Sequence, residues 1–376
     1  MASSQPGKPK ATAGGETAAL STYRAKRDAT KTPEPMGSSP PRQRRSPQQP
    51  TFVIQEHHAR ALHWDFRLEH DGVLVSWALP KGLPEDPSKN HLAVHTEDHP
   101  LEYGSFEGGI PKGEYGGGQV AIWDHGTYDL EKWTEREVKV VLHGQRSRGR
   151  YVLFPTRGKK WMIHRMDPPA EGYEPMPERL DPMLARSAAL PTDDRAWAYE
   201  FKWDGVRAIV FVDGGRVRTI GRNDNDLTTF FPELRDIGEY LGARSAVLDG
   251  EIVAFDETGQ PSFGRLQQRL DPGSRSEITR RARNAPASYL AFDLLYLEGR
   301  SLLTATYDER RQRLESLELA SISFATPPSI HDSPGVDVLQ AARDTGLGGI
   351  VAKRRSSPYR PGSRSGDWIK IRTPAP

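Results

Sequence analysis

Residues 199–212 read YEFKWDGVRAIVFV, and how these positions are read decides what the second half of the chain is. An apolar-alternating run ends at Lys202, an Asp204-Gly205 pair follows, and a second apolar run resumes at Ala208. Asp-Gly permits a tight approach of the backbone. A free lysine amine is protonated at neutral pH, but burial in an apolar pocket or beside other cations favours the neutral form. A lysine so placed becomes a nucleophile able to attack a phosphorus atom. Arg207, on the following strand, is positioned to hold a phosphate or a ribose. The same spacing also describes a β-hairpin with an exposed lysine at its turn, so the rest of the chain must supply the missing parts.

At 376 residues the chain predicts two domains. It has no cysteine, which excludes a disulfide framework and a thiolate zinc site and fits a cytoplasmic setting. Mean hydropathy is −0.67. No run approaches the roughly 18 apolar residues of a membrane span, and the N-terminus has no apolar core of the signal-peptide kind, so no membrane partner is expected. Formal net charge is only +2, yet basic residues cluster at Arg42, Arg44 and Arg45, at Arg146, Arg148 and Arg150, and at Lys353, Arg354 and Arg355. Such clusters suit phosphate backbones, and each is equally compatible with an ordinary solvated face.

Residues 1–50 are rich in Ser, Pro, Gln, Gly and basic residues and predict a largely disordered tail; YRAKRDATKTPEP, residues 23–35, is the exception. From Thr51 the pattern changes. TFVIQEH reads as a strand, and HWDFRLEH and VLVSWAL read as two strands joined by Asp71-Gly72, a strong hairpin signal. Alternation puts Trp64, Phe66 and Leu68 on one face and His63, Asp65 and Arg67 on the other, with His57 nearby. Two histidines and a carboxylate suit manganese or zinc, and an adjacent arginine suits a phosphate. His99 and Tyr103 follow in LAVHTEDHPLEYGSFEGG. The glycine-rich GGIPKGEYGGGQV lacks the P-loop pattern and reads as turns between short strands. Further strand-like runs at QVAIWDHG, REVKVVLHG, GRYVLFP and KWMIHRM predict a β-barrel or sandwich over 51–167.

QEHHARALHWDFRLE, SWALPKG, EDHPLEYGSFEG and IPKGEYGGG, in this order and spacing, resemble the phosphoesterase domain of bacterial ligase D, the end-joining repair enzyme. The resemblance runs from about Tyr23 to Asp167. It implies a small β-barrel that trims ribonucleosides and phosphates from DNA 3′ ends with manganese. It further implies that His57, His63 and Asp65 hold the metal and that Arg67 and His99 contact the scissile phosphate. Arg27 and Glu34 match the family's N-terminal KRD and Glu-Pro elements, with the arginine on phosphate. Gln55, Lys81 and Tyr103 fall at family positions near the site. Ala29 departs from the pattern, where an aromatic residue is expected.

Five prolines between Pro168 and Pro182 punctuate a charged segment that reads as a linker over 168–180. The second domain, 181–376, then offers a hairpin AIVFV-DGG-RVRTI ending near Arg222, and a strand AVLDGEIVAFD that places Glu251 two residues beyond Asp249. A short helix SFGRLQQRL, a buried strand ASYLAFDLLYLEG with Phe292, and an amphipathic helix YDERRQRLESLEL follow. The closing strands GLGGIVAKRR and SGDWIKIR carry Lys353 and Lys370. Strands and helices mixed in this way predict an α+β fold. KWDGVR, LDGE, AFD, AKR and DWIKIR together resemble the nucleotidyltransferase domain of ATP-dependent DNA ligases and mRNA-capping enzymes. The resemblance implies that Lys202 becomes covalently adenylated by ATP with magnesium or manganese. Glu200, Arg207 and Arg222 would contact adenine, ribose or phosphate, and Glu251 ribose or metal. Phe292 would stack on adenine, while Lys353 and Lys370 neutralise the α-phosphate.

Two departures bear on ligation. The family's fourth motif reads Glu-Gly-Ile/Val, and here the glutamate position is Gly348; the sequence also ends at Pro376, where family ligases continue into an OB-fold. The expectation is therefore a multidomain repair enzyme, nucleoid-associated in a bacterial cytoplasm, acting on DNA ends and nicks. An end-joining partner or an OB-fold protein acting in trans would complete it. Two competing readings are a phosphoesterase whose ligase-like half is a non-catalytic docking module, and a two-domain binding protein with no activity.

Overall fold

The computed structural model describes residues 20–37, 49–242, 244–270 and 273–373. The chain forms two compact units that divide between Pro169 and Ala170. The basic cluster Arg42, Arg44 and Arg45 lies outside the described residues.

The first unit is a barrel rather than a sandwich. Its strands are β1 (Thr51–His58), β2 (Leu62–His70), β3 (Val73–Leu79), β4 (His91–His95), β5 (Gly108–Ile110), β6 (Gly118–Thr134), β7 (Glu137–Gly144), β8 (Arg148–Arg157) and β9 (Lys160–Arg165). They run β1-β2-β3-β4-β9-β8-β7-β6, and β1 pairs back onto β6, so eight antiparallel strands close the ring and β5 hangs on β6. Closure leaves few unpaired edges. Asp71 and Gly72 both take positive φ, 48° and 84°, the backbone of the two-residue turn their sequence predicts. Trp64, Phe66 and Leu68 are buried in the core, as their alternation requires, but the opposite face is covered as well: Asp65 and Arg67 are only 7% and 2% exposed. Part of that cover is the segment 20–37, including a short helix Ser21–Ala25 whose Tyr23 is fully buried against Leu74 and Tyr103. The disorder expected of the first fifty residues therefore does not extend to this segment.

The second unit holds two sheets. The smaller has the order β10 (Arg186–Ser187), β19 (Trp368–Arg372), β18 (Gly349–Arg354), β11 (Trp197–Phe201). The larger runs β13 (Arg216–Gly221), β12 (Val206–Asp213), β14 (Ala246–Ala254), β15 (Ala287–Leu297), β16 (Arg300–Ser301), with β17 (Phe324–Ala325) paired to β15. Period-two alternation on β12 serves two cores. Val210 and Val212 pack with Leu234, Ile237 and Leu314 from the helical side, while Ile209 and Phe211 pack with Val247, Phe292 and Trp368 between the sheets. The stretch 199–212 is thus no hairpin. β11 pairs with β18 and, through Tyr199, bridges Ile330, while β12 pairs with β13 and β14, so the chain changes sheet within residues 202–205. Gly205 makes this crossing possible, since a Cβ there would sit 2.2 Å from the Ile252 carbonyl oxygen.

Residues 170–180 are not a free linker. The Glu174 amide donates to Gly299 O, its carbonyl accepts from Tyr296 Oη, and Met176 and Leu180 pack against the inter-sheet core. The helix Tyr307–Glu315 buries Arg310 and Arg311 beside Tyr307 and Leu314, so its inward face is not purely apolar. Helices Arg275–Asn284 and Gly335–Asp344 were not legible from the motifs above.

Candidate active sites

The register of β1 against β2 sets His57 directly opposite His63 and Gln55 opposite Asp65. Ligand atoms of His57, His63 and Asp65 all lie within 4.8 Å of one another. His57 Nδ1 is 3.4 Å from Asp65 Oδ2, and His63 Nε2 is 3.7 Å from Asp65 Oδ1. The other ring nitrogens settle the tautomers, because a carbonyl can only accept. His57 Nε2 donates to Gly116 O at 2.8 Å and His63 Nδ1 to Ala61 O at 3.0 Å. Each imidazole therefore turns a lone pair toward the carboxylate, the arrangement in which metal-ligating histidines are held. His57 Nδ1 is buried and has no hydrogen-bond partner. An orphaned lone pair facing a carboxylate and a second imidazole fits a divalent cation. Burial pushes the Asp65 carboxyl up, but the Arg67 guanidinium leads the opposing effects that hold it well below the usual carboxylate range.

Around this set runs a hydrogen-bonded lattice. Arg67 donates from Nη2 to Asp65 Oδ2 at 2.9 Å, from Nε to Gln55 Oε1 at 2.8 Å and from Nη1 to Ser76 Oγ at 2.9 Å. Gln55 in turn donates to the carbonyls of Tyr103 and Phe106. His99 is fixed by a two-bond bridge to Leu74, and its Nδ1 lies 3.0 Å from Arg67 Nη1. Burial, then Arg67 and Arg27, push the His99 imidazole well below its ordinary value, so it is neutral at pH 7. Arg27 reaches the cluster from the N-terminal segment. Its Nε donates to Glu34 Oε1 at 2.9 Å, its Nη1 to Glu97 Oε1 at 3.1 Å, and its Nη2 is 3.5 Å from His99 Nε2. Tyr103 Oη donates to Glu34 Oε1 at 3.1 Å. Glu34, Gln55 and Tyr103 thus orient the two arginines. Lys81 is half-buried in the turn after β3.

In the second unit a cavity of about 310 Å³ opens where the sheets meet. Glu200, Lys202, Arg207 and Arg222 line it together with Glu251, Phe292, Lys353 and Lys370, so every nucleotide-site residue expected from the sequence reaches one space. They differ in what they already hold. Arg207 forks onto Asp249 with two bonds of 2.6 Å and lies over the Phe292 ring. Lys353, 1% exposed, pairs with Glu200 at 2.8 Å; burial lowers its amine's proton affinity and Glu200 opposes that. Glu200 also accepts from Tyr307 Oη at 2.5 Å. The side chains of Lys202, Arg222 and Lys370, by contrast, make no hydrogen bond or ion pair among the described residues. Lys370 is pushed below its ordinary value by desolvation, then by Arg372, Arg364, Lys202 and Arg222. Burial pushes the Glu251 carboxyl up to about 7, against the pull of Arg207.

Several contributors were missed. The glycine-rich loop supplies more than turns, since the Gly116 carbonyl orients His57. Trp368 lines the cavity with Lys353 Nζ 4.4 Å from its ring centre, and Asp249 and Tyr359 anchor Arg207. Asp249 was passed over because a carboxylate at 0% exposure is revealed only by its buried partner. Two basic clusters prove not to be free patches. Lys353 is buried, Arg355 pairs with Asp308, and Arg150 pairs with Glu131 at 2.8 Å.

Residues 55–155 match the DNA ligase D 3′-phosphoesterase domain, and residues 182–372 match the ATP dependent DNA ligase domain. The chain is similar to the multifunctional non-homologous end joining protein LigD of Mycobacterium bovis, 46% identical over 356 residues, covering 93% of this chain and 45% of that protein. The LigD of Pseudomonas aeruginosa is 36% identical over 409 residues, covering 94% and 47%. A solved mycobacterial DNA ligase D complexed with ATP and MES is 38% identical over 51% of this chain and 60% of its own, with a TM-score of 0.44. The chain thus spans about half the length of the curated relatives it matches. Matches of these two domains imply use of ATP and a divalent metal. The chain belongs to the ATP-dependent DNA ligase domain family and carries a DNA ligase D 3′-phosphoesterase domain ahead of it.

Proposed function

We propose that the first unit trims the 3′ ends of broken DNA and that the second adenylates itself on Lys202 to prepare ends or nicks for sealing. In the first unit His57, His63 and Asp65 hold the cation, with manganese the assignment the resemblance favours. A divalent ion there supplies charge neutralisation for a phosphoester. Arg67 and Arg27 bind the scissile phosphate, their forks held by Gln55, Ser76, Glu34 and Glu97. Neutral His99, between the two guanidiniums, is able to exchange a proton with the leaving or attacking oxygen.

In the second unit the Lys202 amine attacks the α-phosphorus of ATP through its nitrogen lone pair. A phosphorus–nitrogen bond forms, the bond to the bridging oxygen breaks, pyrophosphate departs with the electron pair, and the amine proton passes to solvent. Such chemistry depends on positioning and on cations aimed at the developing charge. Phe292 offers a face to adenine, Lys370, Arg222 and Lys353 face the phosphates, and Glu251 faces ribose or a magnesium or manganese ion. Arg207, forked onto Asp249, supports the site from beneath. The observation that carries this reading is the convergence of three unpaired cations, Lys202, Arg222 and Lys370, on one cavity floored by Phe292 and Trp368. The reading of the second half as a non-catalytic docking module is not favoured, since such a module needs no free amine in that place. The protein works in this proposal at DNA ends in a bacterial cytoplasm, beside the nucleoid and with other end-joining proteins. Among the described residues no helix is long and apolar enough to cross a membrane.

The test is incubation of the purified chain with α-labelled ATP and manganese or magnesium, beside a primer bearing a 3′-terminal ribonucleotide. Label bound covalently to the chain and absent from Lys202→Ala, with shortening of the primer, is expected. A chain that takes up no label and leaves the primer intact overturns the reading.

A further inference from the structure

Helix Arg275–Asn284 presents a face that packing does not explain. None of its ten residues is buried, and the helix divides cleanly by exposure. Glu277, Ile278, Arg281 and Ala282 form the half-buried side, while Arg275, Ser276, Thr279, Arg280, Arg283 and Asn284 are exposed. Those six, spaced at three and four residues, fall on one side of the cylinder and line a shallow open groove. The set contains three guanidiniums, two hydroxyls and an amide, and no carboxylate. The helix's one acid, Glu277, faces the other way and is committed to the capping box, where it accepts from the Ser274 amide at 2.7 Å and the Ser274 hydroxyl at 2.8 Å. Arg275, Arg280 and Arg283 donate no side-chain hydrogen bond and form no ion pair among the described residues. Like charges one turn apart disfavour a helix, so this face opposes the stability of its own element.

We propose that this face docks the phosphate backbone of duplex DNA. The proposal rests on the reading that the second unit acts on DNA, and it names a contact surface separate from the nucleotide cavity, since the two share no lining residue. Eight residues separate Arg275 from Arg283, about 12 Å along the helix axis. Each strand of duplex DNA carries a charge every 3.4 Å or so of helix axis, so that span faces roughly three to four phosphates of one strand, about one for each guanidinium. Guanidinium forks match phosphate oxygens two at a time. The two hydroxyls are turned inward, Thr279 onto the Arg275 carbonyl at 2.9 Å and Ser276 onto Ser274 Oγ at 3.0 Å, so the three guanidiniums and the Asn284 amide are the groups left to meet phosphate, without sequence preference.

The experiment compares the whole chain with a triple variant, Arg275→Gln, Arg280→Gln and Arg283→Gln, all at exposed positions. Fluorescence anisotropy of a blunt duplex is measured from about 50 to 200 mM salt. Each lost phosphate contact lowers the slope of log affinity against log salt by about 0.9, so a fall of roughly 2 to 3 is expected, with weaker binding at low salt. An unchanged slope overturns the proposal, whether or not affinity drops. Label uptake from α-labelled ATP is read in the same preparations. The variant should label as the parent does, and a parent that takes no label fails the ligase reading while leaving the slope comparison intact.

Discussion

Gly348 offers a reversal of sign that can be measured. A Cβ at this position would meet only Lys202 Nζ, at 3.6 Å, and the backbone there is not left-handed, so Gly348→Glu places its Cβ without backbone strain. The new carboxylate has two opposed effects on lysine adenylation. Without a bound cation it is within reach of the amine, and at a separation of about 4 Å an effective dielectric near 20 gives an attraction of about 4 kcal/mol for the ammonium form. At about 1.4 kcal/mol per decade, that withholds the lone pair by a factor approaching a thousand. With a divalent ion present the carboxylate becomes a hard oxygen ligand instead, and carboxylates supporting a metal are commonly worth ten- to hundredfold in activity. The first effect is the larger, so the variant should be slower than the parent at low manganese. It should become ten- to hundredfold faster once the ion saturates the site. The assay is the initial rate of covalent label from α-labelled ATP across a manganese titration at fixed pH, with circular dichroism confirming the fold. Rate curves for parent and variant that never cross would refute the reasoning.

His63→Ala should abolish manganese-dependent 3′ trimming while leaving the thermal transition near the parent's, because His63 is the least buried of the three ligands; a folded variant that trims at the parental rate removes the metal assignment. Asp293→Ala should cost about 3–5 kcal/mol in urea unfolding, since it strips the fully buried Arg310 of a carboxylate held by bonds of 2.7 and 3.0 Å; a loss under 1 kcal/mol would contradict this. Glu251, its folded value about 7 against an ordinary 4.5, keeps a proton that the unfolded chain releases, so its contribution is full below pH 4.5 and is lost as pH rises through 7. Relative to Glu251→Gln the parent should therefore lose up to about 3 kcal/mol between those limits, and parallel stability–pH curves for the two proteins would rule it out.

Local rules carried the barrel a long way. Asp71-Gly72 needs no partner to announce a turn, and the alternation along 62–70 separates core from site because strand period is a property of the backbone. The metal set followed from that period plus one neighbouring histidine. What local rules do not carry is the choice of strand partner. β11 meets β18 from about 150 residues later, Ala198 opposite Lys353, and nothing between Lys202 and Val206 records that β12 will join a different sheet. The same limit hid Arg310, whose helix shows a charged residue where Asp293, 17 residues away, supplies the reason for burying it. The segment 23–35 stood out from the tail only by its motif, because its few apolar residues find their cover only on the completed barrel.

Lys202 belongs to both sheets at once. Its amide is still bonded to Gly349 O on the smaller sheet, and four residues later, at Val206, the chain is in the larger one. The proposed nucleophile is therefore tethered to the edge strand of the smaller sheet, on the short strap by which the chain crosses to the larger one. Its place is set from both ends, so a substitution that shifts either sheet reaches the amine through only a few bonds.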